Sequence, residues 1–170
     1  MLGLENNTID TNKENVDLKH LPAEIIITFH VALSLIPDEE KGKKIIYRDL
    51  FDSRKEIVIS ALKTIGKIKD SKAIGLIGKL INNPDEDIKC EAIKTYGNIG
   101  EKSVIPFLIN LFKTNQDERL RCSILETLIS LTPENFEVKT LLRAYAASPV
   151  ISGKTKAFAI GLLLKTDPEF

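Results

Sequence analysis

Between Ile57 and Phe112 one apolar pattern is written twice, and the spacing of the copies constrains the fold more than any other feature. Ile57-Val58-Ile59-Ser60-Ala61-Leu62-Lys63-Thr64-Ile65-Gly66-Lys67-Ile68 aligns with Ile88-Lys89-Cys90-Glu91-Ala92-Ile93-Lys94-Thr95-Tyr96-Gly97-Asn98-Ile99 at a constant offset of 31 residues. The continuation keeps step: Ala73-Ile74, Leu76-Ile77 and Leu80-Ile81 are answered by Val104-Ile105, Phe107-Leu108 and Leu111-Phe112. One such unit cannot bury its own apolar faces, whereas stacked copies bury one another, and two helical patterns per period make the stack a helical solenoid. The chain therefore reads as an all-α, right-handed solenoid of about four helix pairs with a terminal half repeat.

Within a unit the first helix carries apolar or small residues at positions 1, 5, 6, 9 and 12, which are Ile57, Ala61, Leu62, Ile65 and Ile68. That spacing is a broad inward stripe. The small residue at position 5 permits close approach of a neighbouring helix, and Gly66 or Gly97 suits either a close crossing or a C-terminal turn. Asp52-Ser53 and Asp70-Ser71 read as caps, and Asn83-Pro84-Asp85-Glu86-Asp87 as a helix start with proline in the first turn and carboxylates at the positive end of the dipole. A third, looser copy runs from Leu120 to Leu131, and its second helix starts at Thr132-Pro133-Glu134 and carries Phe136, Val138, Leu141, Leu142 and Tyr145.

The flanks are less regular. Residues 1–19 show no apolar period and read as a flexible polar tail, leaving 20–167 as a single solenoid domain. Behind Pro22, the residues Ile25, Phe29, Ala32, Leu33 and Ile36 form one helical face, but Ile27, Val31 and Leu35 make the other side apolar too. Pro37-Asp38-Glu39-Glu40 starts a second helix with Ile45, Ile46, Leu50 and Phe51 inward. The last helix, Gly153 to Lys165, contains Leu162-Leu163-Leu164 and no partner helix follows it. Apolar ends of this kind call for cover, at the first helix from the Asn-rich tail, a neighbouring subunit or a partner, and at the last from a longer parent chain or from self-association through the terminal helices.

The runs Ala61 to Ile74 and Ala92 to Pro106 resemble HEAT-like repeats of the phycobilisome-lyase type: a basic-led first helix, a Leu-Gly-x-Ile-Gly-Asp turn and an Ala-Ile-Pro second helix. The resemblance covers about Ser53 to Tyr145, with Val58 in place of the basic residue and Ile129 in place of the helix-end glycine. It implies an α-solenoid that works as a protein-binding scaffold. It also implies an alternative, a bilin-lyase-like chaperone of a chromophore or its acceptor protein. Against that role stand the short chain, the absence of tryptophan and the presence of only His20 and His30. Metal hydroxylases of the same repeat type hold iron with His-Glu pairs, whereas His20 precedes Leu21 and His30 precedes Val31.

Charge narrows the partners. Lys+Arg and Asp+Glu number 24 each, so no global field draws in nucleic acid or an anionic membrane, and a base-excising role on DNA has no electrostatic support. The apolar run Ala23 to Ile36 is too short to cross a bilayer, and no secretion signal opens the chain; the expected location is cytoplasmic. Cys90 and Cys122 occupy equivalent positions on helices about 8–10 Å apart, too far for a disulfide, and read as reduced thiols on the outer side. No phosphate loop, metal set or nucleophile is expected, and no cofactor. His30 reads as a satisfied, semi-buried residue. The exposed side of each second helix is read as a concave wall with Lys79, Asn110, Lys113, Lys139 and Arg143 as its binding residues, together with Gly75, Asn82 and Pro106. Such a mildly basic groove suits an acidic peptide or protein.

Overall fold

The computed structural model describes residues 20–36 and 40–166. The expected tail over 1–19 and the Pro37-Asp38-Glu39 helix start lie outside those residues. Among the described residues there are nine α-helices and no strand: α1 (Ala23–Leu33), α2 (Glu40–Asp49), α3 (Lys55–Ile68), α4 (Ile74–Leu80), α5 (Glu86–Ile99), α6 (Ile105–Thr114), α7 (Glu118–Leu131), α8 (Phe136–Ala147) and α9 (Gly153–Thr166). Short 3-10 turns, Ser71–Ala73 and Lys102–Val104, lead into α4 and α6. The odd-numbered helices stack on one another in chain order, and each even-numbered helix packs on the odd helix that follows it. The result is a two-layered repeat solenoid of four helix pairs closed by α9.

Caps set the helix boundaries. Asp85 accepts from the backbone N–H of Asp87 and Ile88, Asp117 from that of Leu120, Asn135 from that of Val138, and Ser152 Oγ from that of Thr155. Each satisfies a donor that the first helical turn leaves open. Three expected starts shift accordingly. Pro84 and Pro133 precede their helices, because the side chains able to cap are Asp85 and Asn135. Asp52 binds the backbone and guanidinium of Arg54 instead of capping α3. Gly100, at φ 80°, closes α5 in the left-handed conformation; Lys69, at φ 53°, does the same for α3 without a glycine's freedom.

The duplicated stripe is the core. Ile57, Ala61, Leu62 and Ile65 are fully buried, as are Ala92, Ile93, Ile124, Leu125 and Leu128, while Ile68 is half-buried. Burying one such side chain stabilises by about 1.5–3 kcal/mol. The glycines mark helix crossings, not turns: a Cβ at Gly66 would meet Asn98 Cβ at 3.0 Å, and one at Gly97 would meet Thr127 Cγ2 at 3.1 Å. A threonine ladder runs alongside. Thr64, Thr95 and Thr127 are buried, and their hydroxyls donate to the carbonyls of His30, Leu62 and Ile93 on the preceding odd helix, at 3.4, 3.3 and 3.4 Å.

These donor–acceptor pairs fix the register across the odd layer: His30, Leu62 and Ile93 are equivalent. They also correct the first helix, whose buried residues are Ile26, His30 and Leu33, with Ile25, Ala32 and Ile36 exposed. The helix keeps the register of α3, and Ile25 and Ala32, equivalent to the buried Ile57 and Thr64, are exposed because among the described residues α1 has an odd neighbour on one side only, α3. In α2, Ile46 and Leu50 are buried, Ile45 is half-buried and Phe51 is exposed. Phe136 is likewise exposed, since α8 begins there.

Candidate functional site: a grooved face on the stacked odd helices

Each odd helix is covered by an even helix and by odd neighbours on its flanks, which leaves one face open. Two grooves lie on that face. Between α1 and α3 a groove of about 420 Å³ is walled by Ile27, Val31 and Ile59, with Ser60 on its floor, Glu56 at one side and Lys63 and Lys67 along its rim. Between α5 and α7 a groove of about 280 Å³ is polar, lined by Glu91, Lys94, Asn98, Glu126 and Ser130. In repeat register Ile59, Cys90 and Cys122 form a band across the layer, flanked by Lys63, Lys94 and Glu126. Cys90 is buried and Cys122 half-buried, so neither lies on an outer surface as expected; odd helices have apolar cover on both flanks. Both thiols are free. Burial pushes the Cys122 thiol up from its ordinary range.

One edge of the band carries a ladder of alternating charge. Lys55 of α3 pairs with Asp85 at 2.9 Å and with Asp87 of α5, and Asp87 in turn pairs with Arg119 of α7. Hydrogen bonds from Lys55 hold both aspartates below the usual carboxylate range, Arg119 adding to the effect at Asp87. At the next step Glu118 accepts from Ser152 Oγ at 2.7 Å and Thr155 Oγ1 at 2.5 Å, which lowers its carboxyl as well. These contacts bolt the first turns of successive odd helices together.

Under the apolar groove lies a buried polar knot. His30 Nδ1 sits 3.0 Å from Ser60 Oγ and its Nε2 3.1 Å from Asp49 Oδ2, while Arg48 Nε donates to Asp49 Oδ1 at 2.8 Å. Ser60, His30 and Asp49 thus follow the order of a nucleophile–base–acid relay. Ser60, however, lies inside α3, where backbone N–H groups serve the helix itself, and no pair of them faces a site at which an oxyanion would develop. The knot fastens α1, α2 and α3 to one another. His30 is fully buried rather than semi-buried, and both ring nitrogens are engaged.

The residues expected to bind a partner lie on the other layer. Lys79, Asn110, Lys113 and Arg143 are exposed on α4, α6 and α8, and Lys139 is half-buried. Lys113 is paired with Glu137 at 3.0 Å and Lys139 with Glu134 at 3.1 Å. Gly75, Asn82 and Pro106 share that layer. The even helices that carry them do not pack on one another as the odd ones do. The expectation put the binding wall on the second helices and Cys90 and Cys122 on the outer side of the first, so the grooved face of the first helices was not anticipated. Its signal was present in the matching register of Lys63, Lys94 and Glu126, each of which lines one of the two grooves.

No group of His, Cys, Asp or Glu among the described residues is arranged to hold a metal ion, and no helix among them is long and apolar enough to cross a membrane. No curated protein matches the chain. The model of the family described as HEAT repeats matches residues 47–129, the span that contains Thr64, Thr95 and Thr127, the pairs of Lys55, Asp87 and Arg119, and both first-helix copies of the duplicated stripe. Those residues are HEAT-type repeats, and through them the chain is similar to the HEAT-repeat family.

Proposed function

We propose that this chain is a non-catalytic protein-interaction module that holds a peptide or protein segment across the open face of its odd helices. The groove between α1 and α3 carries the reading: apolar walls of Ile27, Val31 and Ile59 under a rim of Lys63 and Lys67. An apolar side chain flanked by carboxylates fits that chemistry, the walls supplying affinity and the lysines steering and register. Direct stacking of the odd helices, without equivalent stacking of the even ones, bends a solenoid toward its odd side, which makes this face the inner, extended wall. Lys79, Asn110, Lys113, Lys139 and Arg143 then serve the outer layer, where a partner that wraps the solenoid reaches them.

The test is capture from the native lysate with three proteins side by side: wild type, Ile59→Asp/Lys63→Glu/Lys67→Glu, and Lys79→Glu/Lys113→Glu/Lys139→Glu/Arg143→Glu. Helicity is matched by circular dichroism, and eluates are read by mass spectrometry and visible absorbance. A protein lost only from the first variant supports the odd face; one lost only from the second moves the site to the even layer. A coloured eluate replaces the scaffold reading with chromophore handling.

A further inference from the structure

We propose that the chain assembles head to tail, with α9 of one copy stacking on α1 of the next so that the odd-helix layer continues across the junction. The inner junctions α1–α3, α3–α5, α5–α7 and α7–α9 are successive instances of one kind of helix stacking. At each end one half of that junction is left open, and its apolar residues are kept. In α1, Ile25 is 51% exposed, whereas its register equivalents Ile57, Ile88 and Leu120 are 0, 5 and 4% exposed. Just past the end of α1, Ile36 is 62% exposed, against 8% for Ile99 and 8% for Leu131 and a half-buried Ile68. In α9, aligned through the Asp117 and Ser152 caps, Ile160 is 37% exposed where Leu62, Ile93 and Leu125 are fully buried, and Leu164 is 58% exposed where Ile129 is 9%.

The two open halves differ in the way the two sides of an inner junction differ. Leu62 and Ile93 lie on the side of their helices that faces the next odd helix, as the threonine bonds to their carbonyls show, and Ile160 inherits that side. Ala32 occupies the register of Thr64 and Thr95, the side that faces the preceding helix. A second copy of this chain carries both halves. Charge agrees: the exposed Lys154 in the first turn of α9 would meet the exposed Glu24 in the first turn of α1, an opposite-charge step of the kind that Lys55 makes with Asp87 and Asp87 with Arg119. Because the two surfaces are different, the contact is heterologous and repeats without limit unless it closes into a ring.

Sedimentation velocity on the full chain tests this with two variants at exposed positions, Ile160→Glu/Leu164→Glu and Ile25→Glu/Ile36→Glu. Wild type is expected to show a mass that climbs with concentration beyond dimer, and each variant alone a monomer with an unchanged circular dichroism spectrum. Their equimolar mixture retains one intact junction and is expected to give twice the monomer mass and nothing larger. Wild type that stays monomeric overturns the proposal. So does assembly lost in only one of the two variants, which indicates a symmetric α1–α1 or α9–α9 contact. Deletion of residues 1–19 should leave the assembly unchanged; if it converts a monomeric chain into oligomers, that segment is the cover for α1 and the proposal fails.

Discussion

Leu62, Ile93, Leu125 and Ile160 occupy one register on four successive odd helices, and truncating each to alanine isolates what a following helix contributes. The first three are fully buried and Ile160 is 37% exposed. Shortening leucine or isoleucine to alanine removes three carbons, about 2.4 kcal/mol at ~0.8 kcal/mol per buried group. An unrelaxed cavity adds to this, so about 3 kcal/mol is expected at each inner position, within the range of about 2–5 kcal/mol for such core truncations. At Ile160 the same transfer scaled by burial gives about 1.5 kcal/mol, and no closed cavity forms at an open end. Urea unfolding followed by far-UV circular dichroism reads the difference. With a slope of about 2 kcal/mol/M, the inner variants should move the midpoint by about 1.5 M and Ile160→Ala by about half that. Experiments are run dilute, so that contacts between copies do not add to the Ile160 value. Equal losses at all four positions, with the slope unchanged, would refute the idea that odd-on-odd stacking determines burial in this register.

Other expectations follow from single features. Lys69 sits at φ 53°, so Lys69→Gly should raise stability by about 1 kcal/mol while Gly100→Ala, at φ 80°, should lower it by a similar amount in the same titration. Asp85, Asp87 and Glu118 all have carboxyls held below their ordinary range. Their contribution is complete above the unfolded carboxylate range and is lost as pH falls through their lower folded values, so acid unfolding should be shallower in Asp87→Asn and in high salt. Cys90 is buried and the Cys122 thiol is raised by burial; at neutral pH a thiol reagent should label the native chain slowly and both sulfurs at once in denaturant.

The repeat architecture was legible because its signal is a period, and a period survives imperfect copies. Ile57, Ala61, Leu62 and Ile65 are buried as their spacing requires. The helix starts at Pro84 and Pro133 were misplaced by two and three residues because proline and a neighbouring Asp or Asn both mark a beginning, and only the side chain that reaches a free N–H decides which. In α1 the apolar residues surround the helix, so periodicity carried no direction; the partners of His30, which are Ser60 and Asp49, supplied it. The grooved face stayed hidden for a related reason. Whether a residue such as Ile59 faces water or a neighbour depends on which layer packs on itself, and that is a property of the stack, not of a single repeat.

The alternation of Lys55, Asp87 and Arg119 along successive odd helices gives the solenoid a parity. Inserting a duplicate of the α5–α6 unit would set one Asp87 beside another and break the edge by like-charge repulsion. A duplicated pair of units, α5 through α8, would restore plus, minus, plus at every step. Chains of this type that lengthen by duplication should therefore grow more readily by two units than by one.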